Sequence, residues 1–305
     1  MQIGIIGNGT HSKRIQKILK YKKKNFFLYK PLKNSYYNKH NFEKLKKCKL
    51  IFIITPNQSH FSYIKKLYQN RYIFCEKPPV ISKTQLKELK KIQNGKIYFN
   101  YNFRHSKFAD VLKSLKKYNL GKLLYGSIIN SHGLALKKEY KNNWRSNKKL
   151  CPKGIFEIVN IHYIDLINYF FNIKKISKPK KINHSNIGNS FDTELTEIEL
   201  DKNSFINIFS TYYSALMNRI TLNFQNGIID KNNSKIVIYG PALNLDRYGF
   251  FKKPKIKKIF RINGKSDYLI SLEKSIKYFL NHAKENKKFN KKEFCKSVES
   301  NNLIL

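Results

Sequence analysis

Over the first third of the chain short apolar runs alternate with amphipathic ones. Runs at Gln2–Ile6, Phe26–Tyr29, Leu50–Ile54, Tyr72–Phe74 and Lys96–Phe99 predict strands. Between them, helical periodicity predicts helices at Ser12–Tyr21, Phe42–Lys47, Ser62–Tyr68, Lys83–Ile92 and Lys107–Lys117. Ser82 followed by Thr84 is a start signal for the fourth helix. Strands alternating with helices predict βαβ units and a parallel sheet.

After Gly121-Lys122 the texture changes to longer alternating runs, at Leu123–Ser131, Glu194–Asp201, Ser204–Tyr213, Asn218–Phe224 and Lys235–Tyr239. Their period of two and the turn residues between them, such as Asp201-Lys-Asn-Ser204 and Gln225-Asn-Gly227, predict antiparallel strands. One long helical pattern, Ile155–Phe171, precedes most of them, and Tyr268–Lys284 and Lys291–Ile304 close the chain as helices. The expected organisation is a first α/β domain over residues 1–121 and an α+β domain with a mixed, largely antiparallel open sheet over 122–305, the last helices being free to pack on either.

Composition narrows the function classes. At 305 residues the chain has room for roughly two domains. No run of about 18 uncharged apolar residues is present, which predicts no membrane span. The first apolar run, Ile3–Ile6, is too short for a secretory leader. Cys48, Cys75, Cys151 and Cys295 match no metal or disulfide spacing, so we expect reduced thiols, a cytoplasmic protein and no metal site.

The formal charge of +42 ordinarily suggests nucleic acid. Here the excess is lysine spread along the whole chain, with only seven arginines, and arginine is the residue suited to bidentate phosphate and base contacts. Nucleic-acid binding is therefore not expected, whereas an acidic small substrate suits so positive a surface.

The candidate chemistry lies at strand ends. Gly7-Asn8-Gly9-Thr10-His11-Ser12 follows the first strand and opens the first helix, an approximate G-x-G-x-x-G with Ser12 at its third glycine. Glycines there permit a tight turn and close approach of a pyrophosphate to a helix N-terminus. At the end of the second strand Tyr29-Lys30-Pro31 offers no acid for a ribose, and Lys30 could pair with a 2′-phosphate, which tilts the expected cofactor from NAD toward NADP. The third strand ends in a polar turn, Thr55-Pro56-Asn57-Gln58-Ser59-His60, and the fourth delivers Glu76-Lys77-Pro78 to the same edge. Among 54 lysines, Lys77 is singled out by the strand before it and the two prolines after it, which fix the backbone.

Taken together, GNGTHS, ITPNQSH and FCEKPP resemble, in order and spacing, the Gfo/Idh/MocA family of NAD(P)-dependent oxidoreductases. FNYNFRH, carrying Arg104, resembles the family's fifth-strand segment. NNWRSN, carrying Trp144 and Arg145, and the helix IFEIVNIHYIDLINYFF resemble its Trp-Arg pair and active-site helix. The resemblance implies a Rossmann domain, hydride transfer between a sugar or polyol carbon and a nicotinamide, and a homodimer or homotetramer. It implies Lys77 and His162 as acid/base residues. Gly7 to Ser12, Lys30, Thr55, Pro56, Asn57, His60, Glu76 and Lys77 would line the cofactor; Lys77, Arg104, Trp144, Arg145, His162 and Asp165 would meet the substrate. The family helix usually reads Asp-x-x-x-His-x-x-Asp. His162 and Asp165 fill the last two positions, but Ile158 stands at the first, with Glu157 beside it. At about 100° per residue, Glu157 points away from the face of Ile158, His162 and Asp165 unless the helix is distorted.

Overall fold

A computed structural model describes residues 1–31, 39–92, 95–201, 203–241, 245–262 and 266–305. The chain forms two compact units, residues 1–102 with 272–305, and residues 103–271.

The first unit is a parallel five-stranded sheet in the order β2-β1-β3-β4-β5, built from β1 (Ile3–Ile6), β2 (Phe26–Tyr29), β3 (Leu50–Ile53), β4 (Tyr72–Cys75) and β5 (Ile97–Phe99). The three central strands β1, β3 and β4 are buried at every position, as expected of a parallel sheet covered on both faces. Helices α1 (Thr10–Tyr21), α2 (Lys39–Lys46), α3 (Asn57–Leu67) and α4 (Lys83–Lys91) connect the strands. Ser82 caps α4 as its sequence predicts, its hydroxyl accepting from Gln85 N.

The end of the chain completes this unit. From Leu272 onward α7 (Asp267–Lys284) belongs to it, as does α8 (Lys291–Leu303). Phe279 packs against Phe52 and Phe74 at ring separations of 5.1 and 5.4 Å, and the Asn301 amide brackets Val80, bonding both its N and its O at 3.1 Å.

The second unit starts at Phe103, not at the change of texture near Gly121. The reason is α5 (Lys107–Lys113), whose apolar residues Phe108 and Leu112 line one apolar pocket with Leu166 and Ile167 of α6 (Ile161–Phe171) and Ile128, Ile206 and Ile220 of the sheet. Instead of running to Lys117, α5 ends at Ser114 and a 3-10 turn, Leu115–Tyr118, follows. The sheet order is β14-β13-β12-β11-β6-β10-β9-β7, with β8 on β9. Its strands are β6 (Leu123–Ser131), β7 (Ile173–Ile176), β8 (Lys180–Ile182), β9 (Thr193–Leu200), β10 (Ser204–Thr211), β11 (Met217–Phe224), β12 (Gly227–Lys231), β13 (Lys235–Tyr239) and β14 (Ile256–Arg261). Among the described residues only the pair β6/β10 is parallel. The sheet is thus mixed and largely antiparallel, and the fold class matches the expected one.

Two local features differ from the sequence reading. The polar turn Thr55–His60 is mostly the first turn of α3, which begins at Asn57 after Pro56, a residue whose fixed φ suits a helix entrance. The long helix over Ile155–Phe171 is not uniform: Phe156–Asn160 forms a π-helical turn before α6. Such a turn inserts one extra residue into the helical repeat.

Candidate functional site

In the first unit the predicted cofactor residues gather at the carboxyl edge of the parallel sheet. At Gly7 φ is +107°, and a Cβ there would lie 2.2 Å from Ile54 O, so the crossing of two backbones demands glycine. Gly9 differs. It is the N-cap of α1, extended at φ −73°, without a side-chain capping bond, and a Cβ on it would meet nothing within 4 Å. The open space above Gly9 and the uncapped N–H groups of α1, with no acid in the first turn, form a cradle suited to a pyrophosphate. Ser12 replaces the third glycine by turning inward: its buried hydroxyl donates to Gly7 O at 2.7 Å and accepts from Gln16 Nε2 at 3.0 Å. Asn8 and Thr10 are exposed on the rim.

His11, Glu76 and Asn100 tie this turn to the end of β4. The Glu76 carboxylate takes the His11 ring at 2.8 Å and the Asn100 amide at 2.7 Å. Burial acts to raise its pKa, but the His11 ring, the Asn100 amide and the Lys77 ammonium outweigh it, and the pKa is lowered. Glu76 is therefore an anion that fixes the strand end carrying Lys77. Lys77 itself is half-buried and followed by a cis bond to Pro78.

His60 is fully buried and does not line the rim. Its Nδ1 faces Pro78 O and its Nε2 Thr55 O, both at 2.8 Å, so it braces the loop after β3 against the loop after β4. Burial lowers its pKa, while the two carbonyls and Glu76 draw it back up. Asn57 is buried at the start of α3, and Thr55 is half-buried, its hydroxyl accepting from Ser59. Lys30 is exposed at the end of β2; the segment after Pro31 lies outside the described residues.

In the second unit, Arg104 and Asp165 are bonded to each other: Nε to Oδ2 at 2.8 Å and Nη2 to Oδ1 at 2.5 Å, with both residues buried. The Arg104 guanidinium also lies over the Tyr169 ring at 4.7 Å. Phe103, next to Arg104, stacks on His162 at 4.8 Å and 26°, and Tyr268 meets the same ring edge-on at 6.5 Å. Phe103 and Tyr268 also meet each other at 6.3 Å, so His162 is one corner of a three-ring cluster whose other two members the sequence reading missed. The π turn is the helix distortion on which the placement of Glu157 depends, and Glu157 is buried within it. Its Oε1 accepts from Lys153 N at 3.0 Å, and its charge raises the Cys151 thiol after burial has done so. Trp144 and Arg145 share a 3-10 turn, with the guanidinium 4.6 Å from the indole centroid.

Below the π turn a row of polar side chains crosses the sheet in register, Lys181–Glu194–Ser210–Asn130–Asn218. Asn160 and Thr196 donate to Glu194, while Tyr163 donates to Asn130 and accepts from Asn218. Lys231 reaches Asn218 at 2.6 Å. Burial lowers both flanking lysines, Lys181 and Lys231, and pushes the Glu194 carboxyl up to about 7. A signal for this row was present in the sequence: Asn130, Glu194 and Ser210 occupy the inward phase of strands whose other inward residues are Ile128, Ile198 and Ile208.

Residues 33–99 match the family model GFO_IDH_MocA, described as an oxidoreductase family with an NAD-binding Rossmann fold. Among curated proteins none matches in sequence. Solved structures resemble the whole chain. An inositol dehydrogenase homolog from Azotobacter vinelandii complexed with NAD+ has a TM-score of 0.79 at 11% identity, covering 100% of this chain and 93% of its own. Levoglucosan dehydrogenase with NADH and levoglucosan gives 0.76 at 12%, covering 100% and 95%. A dehydrogenase from Clostridium difficile gives 0.70 at 18%, covering 100% and 97%. At these identities the likeness is one of fold. No helix among the described residues is long and apolar enough to cross a membrane.

Proposed function

We propose that this chain, a relative of the Gfo/Idh/MocA oxidoreductases by motif and by fold, is a nicotinamide-dinucleotide-dependent oxidoreductase acting on a carbon of a sugar, sugar nucleotide or polyol. The observation that carries the reading is the cradle at Gly9. An uncapped helix N-terminus opens onto free space at the same sheet edge as Thr55 and Lys77, and the family model matches residues 33–99, which hold Thr55 and Lys77. Gly7, Asn8, Gly9, Thr10 and the N–H groups of α1 would hold the pyrophosphate. When bound, the nicotinamide accepts a hydride from the substrate carbon or returns one.

The chain's own residues handle the proton. Lys77, fixed by the Glu76 anchor, holds or exchanges the proton of the reacting hydroxyl, and His162, packed against Phe103 and Tyr268, is the acid/base residue of the second unit. Arg104 and Asp165 support the geometry of this histidine, since their ion pair fastens the turn bearing Phe103 to the helix bearing His162. Lys30 favours NADP over NAD. The neighbours' bound dinucleotides and the substrates in their names, inositol and levoglucosan, support the same class.

Fluorescence titration with NADH and NADPH tests the reading, and failure to bind either sinks it. In a panel of polyols and sugars, Lys77→Ala should retain dinucleotide affinity while turnover falls by about 100-fold or more; undiminished turnover would remove Lys77 from the chemistry. A second reading, a binder without turnover, is favoured by Ile158 and by the engagement of Glu157 with Lys153. It predicts dinucleotide binding with no oxidation anywhere in the panel.

A further inference from the structure

One loop of the second unit gathers hydrogen-bond donors without acceptors. The parallel strands β6 and β10 end at one edge, and the chain leaves them at His132 and Tyr212, whose rings lie 4.9 Å apart. Tyr140 packs edge-on to Tyr212 at 6.2 Å, and the two, each 1% exposed, form a cluster with Ala135 and Ile155. Neither tyrosine hydroxyl has a hydrogen-bond partner among the described residues. The Arg145 guanidinium lies beside Tyr212 Oη and acts to lower its pKa against burial, and its charge is felt by Tyr140, Cys151 and His132 as well. Burial raises the pKa of both phenols, which keeps them as O–H donors.

The loop bearing these groups is built to hold still. Ser146 O accepts from Asn189 N at 2.9 Å and from Ser190 N at 3.0 Å, and Ser190 Oγ donates to Cys151 O at 2.6 Å. Gly188, at φ +74°, passes so close that a Cβ would meet Ser146 O at 2.3 Å. The neighbouring Asp192 carboxylate does not serve the tyrosines. It accepts from His184 N, Ser185 N and Thr193 Oγ1, each at 2.9 Å.

A buried hydroxyl left unpaired loses its hydration without a compensating bond, which is costly. Two such hydroxyls beside a half-buried guanidinium are short of acceptor oxygens carrying negative charge. Arginine presents a planar fork suited to that group. We infer that Tyr140, Tyr212 and Arg145 form an oxyanion subsite, so that the small molecule bound by this chain carries a carboxylate or phosphate. The inference rests on the proposed oxidoreductase reading only for the sugar framework of that molecule.

Calorimetric titration of the full chain with D-glucuronate, D-glucose 6-phosphate and D-glucose tests it, with NADH titrated separately. At least one of the two acids should bind about tenfold or more tighter than glucose, and which one does so separates carboxylate from phosphate. Arg145→Gln and Tyr212→Phe should each weaken that binding by about tenfold while NADH affinity is unchanged. The phenylalanine variant keeps every charge, so general attraction of anions to a chain of net charge +42 would leave its affinity as in the parent. Equal affinity for glucose and both acids, or acid binding undiminished in the two variants, overturns the subsite. Acid binding lost in the variants, together with absent NADH binding, upholds the subsite and sinks the oxidoreductase reading instead.

Discussion

Arg104 grips Asp165 through two parallel hydrogen bonds of 2.8 and 2.5 Å, and the carboxylate is wholly buried. Breaking such a pair from one side leaves an uncompensated buried charge, typically about 3–5 kcal/mol, while replacing both partners by apolar groups is often near neutral. Arg104→Ala should therefore lower Tm sharply, and Arg104→Met with Asp165→Leu should recover most of the loss. Lysine at 104 cannot reproduce the fork and should behave nearly as badly as alanine. Thermal melts of the four proteins decide it; an Arg104→Ala variant as stable as the parent would mean the pair does not clamp the helix.

That pair also marks how far the sequence could be read. Arg104 and Asp165 stood out as polar residues in motif positions, but pairing across 61 residues leaves no periodic trace, and a substrate contact was the natural expectation. The parallel sheet was legible because β1, β3 and β4 are continuous apolar runs bounded by glycine, proline or polar turns. Strands β7, β8, β12 and β14 went unread: β12, GIIDK, is a short run opening on the turn glycine Gly227, while lysine interrupts the alternation of the other three, IKKI, KKI and IKKIFR, at or near the sheet's edges. Edge strands tolerate such charge, which blunts them against further pairing. The π turn was foreseen only as a condition, since a single extra residue in a helix does not disturb apolar spacing enough to show.

Glu194 gives the fold a pH dependence of definite sign. Burial raises its carboxyl from 4.5 to about 7, with Thr196, Lys181 and Asn160 drawing it back. Between those two values the folded chain holds a proton that the unfolded chain has released, so stability falls as pH rises through that window and levels off above it. The magnitude is on the order of 3 kcal/mol. The charge facing it, the Lys181 ammonium, is itself lowered by burial, with Glu194 drawing it back up. Urea midpoints at pH 5 and pH 8 should differ in the parent and converge in Glu194→Gln; equal convergence in the parent would refute the assignment.

The outward face of the second sheet is where we propose that a homodimer or homotetramer would form. Phe205 lies opposite Tyr125 and Phe209 opposite Ile129, and Phe205 is 54% exposed. Large aromatic side chains in register on an uncovered sheet face are a common basis for self-association. Phe205→Lys with Phe209→Lys should reduce the mass measured by analytical ultracentrifugation to that of one chain, with the fold retained by circular dichroism. A mass unchanged by the pair of substitutions would place any assembly elsewhere.

Gly7 and Gly9 look alike in the sequence and should respond oppositely to alanine. At Gly7 the added methyl group would drive into Ile54 O at a backbone angle of φ +107°, so Gly7→Ala strains two crossing segments and should cost several degrees of Tm or more. At Gly9 the angle of −73° suits alanine and the added methyl meets nothing, so stability should match the parent. If the pyrophosphate of a dinucleotide occupies that open space, however, the same methyl group obstructs it, and NADH affinity should drop by about tenfold or more. A Gly9→Ala protein that melts like the parent and binds NADH as tightly would show that the space over the helix N-terminus is not where the cofactor sits.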